Sequence, residues 1–248
     1  MADAKRGKIF SKLAKYITVA ARHGGGNPLD NLRLRYAIDQ ARAESMPKDS
    51  IERAIKKGTG DLQGAELVEL VYEGIGPGGC SLIVEVLTDN RNRTGGEIRN
   101  ILEKHGASMG KANSVLWKFV RQGNIEVSTA DATEEEVFEA AIEAEAENIE
   151  SAESSYLVTT KADDFETVRN ALQKLVTAKR SKAEKRWGEA EDDRPVFLRS
   201  EIVYAPLNGV HIEGDKARQV ITLVENLEDH EDVQNVFSDF DIPENISV

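Results

Sequence analysis

LVELVYEGIGPGGCSLIVEVLT, residues 67–88, is the stretch where the hydrophobic period of this chain changes from helix to strand. Apolar and β-branched residues crowd Leu67 to Tyr72 and again Cys80 to Leu87, and Gly74-Ile-Gly-Pro-Gly-Gly79 between them is built from turn formers. The reading is a β-hairpin. Gly74, Gly76 and Gly79 also match the G-x-G-x-x-G spacing of dinucleotide-binding loops, but that loop works by opening a helix whose N-terminus receives the pyrophosphate. Here a strand follows, so the nucleotide reading fails.

Upstream of the hairpin the period is helical. From Lys5, the residues Ile9, Phe10, Leu13, Tyr16, Ile17 and Ala20 recur at three- and four-residue steps and share a face. Lys5, Lys8, Lys12, Lys15 and Arg22 recur by the same steps on a separate stripe. His23-Gly24-Gly25-Gly26 ends this first helix, and Asn27-Pro28 reads as cap and first turn of a second. Met46-Pro47 breaks the second, and Lys48 to Lys57 forms a short third.

Downstream, a helix is expected from about Thr94 to His105, a strand over Val115 to Val120 and another over Ile125 to Val127. Helices through Val137–Ile142 and Phe165–Val176, with strands near Ile149, Tyr156–Thr160 and Glu201–Tyr204, complete a β-α-β-β-α-β order of ferredoxin-like type. Val210–Ile212, a helix Asp215–Leu227 and Val233–Phe237 form a last set too small to stand alone. The expected architecture is therefore multidomain α and α+β: a basic three-helix domain over 1–61, a discontinuous α+β domain over 62–121 and 207–248, and a second ferredoxin-like α+β domain over 122–206 inserted in the first.

Charge is distributed unevenly over the 248 residues. The net charge is −12, yet residues 1–57 hold thirteen Lys and Arg against six acids, a net of +7, which leaves −19 to the remainder. Such asymmetry points to an anionic partner for the basic part, nucleic acid ahead of membrane. No apolar run approaches the ~20 residues that cross a bilayer, and the single Cys80 excludes both an internal disulfide and a cysteine-built zinc site. A reducing, cytoplasmic location is expected.

Catalytic patterns are missing. Ser108-Met-Gly-Lys111 has the S-x-x-K spacing without its companion elements, and His23, His105, His211 and His230 lie far apart with no metal-ligand spacing. No enzyme activity, metal, cofactor or small-molecule substrate is expected. Thr88-Asp-Asn-Arg91-Asn-Arg93-Thr-Gly-Gly96 leaves a strand and enters a helix, where free N–H groups attract anions; it reads either as a phosphate clamp or as a turn capped by Thr94 or Asn92. Asp131 to Glu153 carries ten acids and no base, the solvated face of a helix or a contact for basic proteins. Lys179, Arg180, Lys182, Lys185 and Arg186 before Trp187 read as an exposed charged loop or a single-stranded RNA contact. Trp117 and Phe119 alternate on one strand face and are expected in the core.

Several long strings resemble the YebC family: Asp3-Ala-Lys-Arg-Gly-Lys-Ile-Phe10, Ile17-Thr-Val-Ala-Ala-Arg22, Met46 to Gly60, Tyr72 to Gly79, Leu87 to Thr94, and Asp232-Val-Gln-Asn-Val-Phe237. The resemblance implies one helical and two α+β domains and a DNA-binding transcriptional regulator without catalytic activity. It also implies an alternative, since a mitochondrial relative is a translational activator and bacterial relatives have been linked to the ribosome. The further basic stretch containing Gly-His-Ser-Lys-Trp that family members usually carry is not found here, and the segment from about Lys179 to Leu198 is longer than usual.

Together these readings predict a regulator, expected to be monomeric, that grips DNA, or ribosomal RNA on the ribosome, with no membrane contact. The phosphate contacts are assigned to Lys5, Arg6, Lys8, Lys12, Lys15, Arg22, Arg35, Arg42, Arg53, Lys56, Lys57, Arg91 and Arg93. Six phosphates neutralised on duplex DNA would give a log–log salt slope of about −5.

Overall fold

The computed structural model describes residues 2–182 and 196–242, with the side chains of 2–5 and 182 outside the described residues. Its fold is mixed α+β: an N-terminal three-helix domain followed by two ferredoxin-like α+β domains, one inserted in the other. By compactness the chain divides into two units, residues 1–120 with 205–248, and residues 121–204; the three helices belong to the first. No helix among the described residues is long and apolar enough to cross a membrane.

The helices are α1 (Ala2–Gly24), α2 (Leu32–Ala43) and α3 (Lys48–Thr59). Ile17, Ala20 and Ala21 of α1 bury against Leu34, Ala37 and Ala41 of α2 and Ile51 and Ala54 of α3. Among the described residues, this core draws on none beyond Ile55. The second helix starts later than the Asn27-Pro28 reading. Asn27 and Pro28 belong to a preceding turn, and Asn31 is the cap, its side chain accepting from Leu34 N at 3.0 Å. Asn31 is buried, and its amide also donates to the carbonyls of Ala20 and Gly25, so the cap that starts α2 also fastens it to the end of α1. A glycine at 58 lets α3 cross α1 closely: a Cβ there would meet the Thr18 carbonyl and lie 2.6 Å from Ala21 Cβ.

In the same unit, β1 (Val68–Ile75) and β2 (Ser81–Thr88) form the expected antiparallel hairpin. The glycines between them serve the turn: Gly76 N donates to Cys80 O at 2.8 Å, and Gly78 and Gly79 take positive φ. Next come α4 (Arg91–Lys104) and β3 (Ser108–Met109), then, after the inserted block, β8 (Val210–His211), α7 (Gly214–Glu228), β9 (Val233–Ser238) and β10 (Phe240–Asp241). The sheet order is β3-β1-β2-β9, with Ile98 and Leu102 of α4 and Leu223 and Leu227 of α7 packed on Leu82, Val84 and Val86. Val210–Ile212 does not join this sheet; β8 pairs in parallel with β10, beside a small cluster of Cys80, Ile212, Ala217 and Val220.

Residues 121–204 form the other unit. Its elements are β4 (Phe119–Ser128), α5 (Glu134–Glu143), β5 (Asn148–Ser151), β6 (Ser155–Lys161), α6 (Phe165–Lys182) and β7 (Arg199–Pro206), in sheet order β5-β6-β4-β7. That is the ferredoxin-like order read from the sequence. Its entry and exit clasp one another, the Arg121 guanidinium lying 5.8 Å from the Tyr204 ring centroid. The separate strands expected over Val115–Val120 and Ile125–Val127 are one strand that begins only at Phe119; Leu116–Lys118 is a 3-10 turn. The physical reason is Glu73, whose carboxylate takes the N–H groups of Asn113, Val115 and Leu116 that a ladder would have used.

Candidate nucleic-acid interface

The cationic stripe of α1 is real, but its middle faces protein. Lys8, Lys12 and Lys15 project onto the corner where α7 gives way to β9. Lys8 Nζ pairs with Asp229 at 2.8 Å, Lys12 Nζ donates to the Glu228 carbonyl, and Lys15 Nζ reaches both the Glu231 carbonyl (2.9 Å) and Asp232 Oδ1 (2.5 Å). A helix C-terminus presents unpaired carbonyls and a partial negative charge, so ammonium groups suit it. Burial lowers the pKa of Lys12 below the ordinary lysine value, with the neighbouring Glu228 and Asp229 carboxylates opposing the shift.

Asp232 is the centre of this corner. It is 4% exposed and also receives Thr94 Oγ1 at 2.6 Å and Arg93 at 2.9 Å. Burial alone would raise its pKa, but the donors Lys15, Thr94 and Arg93 outweigh that and hold the carboxyl well below the usual range. The strand-to-helix turn at Thr88–Gly96 does gather an anion as its sequence suggested, and that anion is Asp232. The cap is Asn90, which accepts from Arg93 N, rather than Thr94 or Asn92; Thr94 bonds Thr88 and Asp232 instead. Arg93 further pairs with Asp89 at 3.0 Å.

The other assigned cations sort into two groups. Arg22 donates to the carbonyls of Ala65 and Leu67, and Arg35 to those of Pro28 and Leu29, so both serve as braces. Arg42, Arg53, Lys56, Lys57 and Arg91 are exposed and have no acidic partner among the described residues. Arg6 is exposed and lies over the Phe10 ring at 5.3 Å. Arg53, Lys56 and Lys57 project from one side of α3, within about a third of its circumference at ~100° per residue. The Lys5 side chain lies outside the described residues, as do Lys185, Arg186, Trp187 and the side chain of Lys182. Lys179 and Arg180 sit on α6 rather than in a loop. Lys179 pairs with Glu136, and Arg180 grips Asp131 through two nitrogens at 2.8 and 2.9 Å, so two acids of the 131–153 run are neutralised internally.

Comparison with known proteins places the chain. Residues 1–61 match the model described as the TACO1/YebC protein N-terminal domain, and residues 67–240 match the model of the TACO1/YebC second and third domain. The chain belongs to the TACO1/YebC family. A probable transcriptional regulatory protein of Geobacter sulfurreducens is 46% identical over 241 residues, covering 97% of this chain and 90% of that protein. One of the same description from Desulfatibacillum aliphaticivorans is 45% identical over 243 residues, 98% of this chain and 91% of its own length. The crystal structure of a conserved hypothetical protein from Aquifex aeolicus superposes with a TM-score of 0.81 at 41% identity, covering 99% of this chain and 94% of that one.

In this TACO1/YebC chain the strings behind the resemblance acquire physical roles. Asp232 opens the Asp232–Phe237 string and collects donors from α1 and α4, Thr94 closes the Leu87–Thr94 string and is one of them, and Glu73 in Tyr72–Gly79 pins the 113–116 turn. Reading for cations did not find Asp232 or Glu73. Glu73 carried a signal, as the single acid of Tyr72–Gly79, whereas Asp232 ends the acidic run Glu228-Asp-His-Glu-Asp232 and nothing local sets it apart.

Proposed function

We propose that this chain is a non-enzymatic regulator of gene expression that binds nucleic acid through the free cations of its helical domain: Arg53, Lys56 and Lys57 on α3, Arg42 at the end of α2, and Arg6 at the outer end of α1. The supporting observation is the contrast within the assigned set: these side chains are exposed and unpaired by acids among the described residues, whereas Lys8, Lys12 and Lys15 are engaged by the α7–β9 corner. Free guanidinium and ammonium groups on one helix side suit a phosphate backbone. The descriptions of the Geobacter and Desulfatibacillum relatives favour transcription, and we take DNA as the target on that reading.

Reversing Arg53, Lys56 and Lys57 to glutamate should abolish binding to duplex DNA, read by fluorescence anisotropy, with the circular dichroism spectrum unchanged. Five phosphate contacts, by Arg6, Arg42, Arg53, Lys56 and Lys57, should give a log–log salt slope of about −4.5, less steep than the six-contact value. Undiminished binding by the folded triple variant would discard the assignment. A ribosome-bound translation factor is the second reading, since exposed cations suit an RNA backbone as well as a DNA one and phosphate contacts by themselves read no bases. Sedimentation of lysate through sucrose at low and high salt separates the two: salt-labile co-migration with ribosomes supports translation, and free protein that retards one promoter fragment above random DNA supports transcription.

A further inference from the structure

Between β3 and β4 the chain makes a turn that no part of the foregoing proposal uses. Glu73 on β1, 7% exposed, braces it from beneath: its carboxylate accepts from Asn113 N at 2.5 Å, Val115 N at 2.7 Å and Leu116 N at 2.9 Å, while Gly110 N donates to the Glu73 carbonyl at 2.7 Å. A side chain at Gly110 would meet Ser114 Oγ, so the turn packs its backbone closely against that serine. On this rigid base stands Trp117, 69% exposed instead of packed in the core as its alternation with Phe119 suggested. Its Nε1 donates to Ser114 O at 3.0 Å, and the Lys118 ammonium lies 5.9 Å from the ring centroid, itself held by Ser81 Oγ at 2.8 Å and paired with the buried Asp239 at 3.7 Å. The indole therefore has its polar atom satisfied, its orientation fixed and its ring in water. Lys111, in the same turn, is exposed with no acidic partner among the described residues.

A large apolar ring held outward over a turn braced by a buried carboxylate, with the exposed Lys111 ammonium in the same turn, suits an anionic ligand with a flat face. We propose that Trp117 is a stacking platform for an unpaired base of single-stranded nucleic acid, with Lys111 reaching the adjoining phosphate. The inference rests on the nucleic-acid reading above and extends it from phosphates to bases. A protein partner anchoring on the indole is the competing occupant; the exposed Lys111, with no acidic partner among the described residues, favours the polyanion.

The chain has two tryptophans, so Trp187→Phe leaves Trp117 as the only indole reporter. Titrating that full-length variant with a labelled ten-nucleotide oligo(U) should quench its emission, and adding Trp117→Ala should weaken binding about tenfold, with Trp117→Phe recovering most of the loss. An oligonucleotide of the same length without bases should bind without quenching. If the labelled oligo(U) binds by anisotropy while the emission stays constant, or Trp117→Ala binds as tightly as its parent, the platform is overturned and the phosphate-binding surface stands. If neither oligo(U) nor duplex DNA binds, both proposals fail. Quenching by an acidic peptide but not by oligo(U) also overturns the platform in favour of a protein partner.

Discussion

Asp232 shows how one side chain can join parts of a fold remote in sequence. Lys15 lies 217 residues away from it and Arg93 lies 139, yet all three meet at one carboxylate. Asp232→Asn keeps the shape and removes the charge, leaving two cations facing a neutral amide; the expected loss is about 3 kcal/mol, as for a buried pair stripped of one partner, read from urea denaturation at neutral pH. Acid should act the same way. The folded-state pKa values of Asp232 and Glu73 are depressed, at Glu73 because three backbone N–H donors outweigh its burial. The stability they contribute is thus present above the unfolded carboxylate values near ~4 and is lost as pH falls through the folded ones. The urea midpoint should hold between neutral pH and about 5 and decline below 4, and Asp232→Asn should flatten that decline. None of this was legible from the residues alone. The sequence reading counted cations correctly but assumed outside partners for them, because local spacing says nothing about an acid two hundred residues downstream.

Elements were read more faithfully than their ends. Periodicity placed α1, α3 and the β1–β2 hairpin, since a three-to-four-residue recurrence and a glycine-rich turn are local facts. The errors fell where a distant group intervened: Asn31 replaced Asn27-Pro28 because its amide could also bond the end of α1, and Glu73 withdrew the 113–116 amides from strand pairing. The α1–α3 crossing adds a prediction at this scale. Gly58→Ala would drive a methyl group into the Thr18 carbonyl and against Ala21 Cβ, and backbone does not yield as a flexible side chain would. Overpacking of this kind costs about 1–3 kcal/mol. Thermal melting of the variant should show that loss, with α3 and its exposed cations displaced and DNA binding weakened in parallel.

At the scale of the whole molecule, the order of strands and helices was legible as an insertion because a complete β-α-β-β-α-β set interrupts another set that cannot stand alone. The clasp between Arg121 and Tyr204 carries that architecture into experiment. Joining Val120 to Ala205 through a short Gly-Ser bridge should leave a chain that unfolds cooperatively in a circular dichroism melt and still binds duplex DNA; an unfolded product would show that the excised block supplies part of its host's core. With Arg121 and Tyr204 in contact, the two ends of the block lie close together, so what the host chain has to accommodate at its own Val120 and Ala205 is a short spacing. The host is accordingly a chassis into which modules of other size and charge can be plugged, and exchanging this acidic cassette becomes a way to retune what the molecule attracts without redesigning the part that holds it.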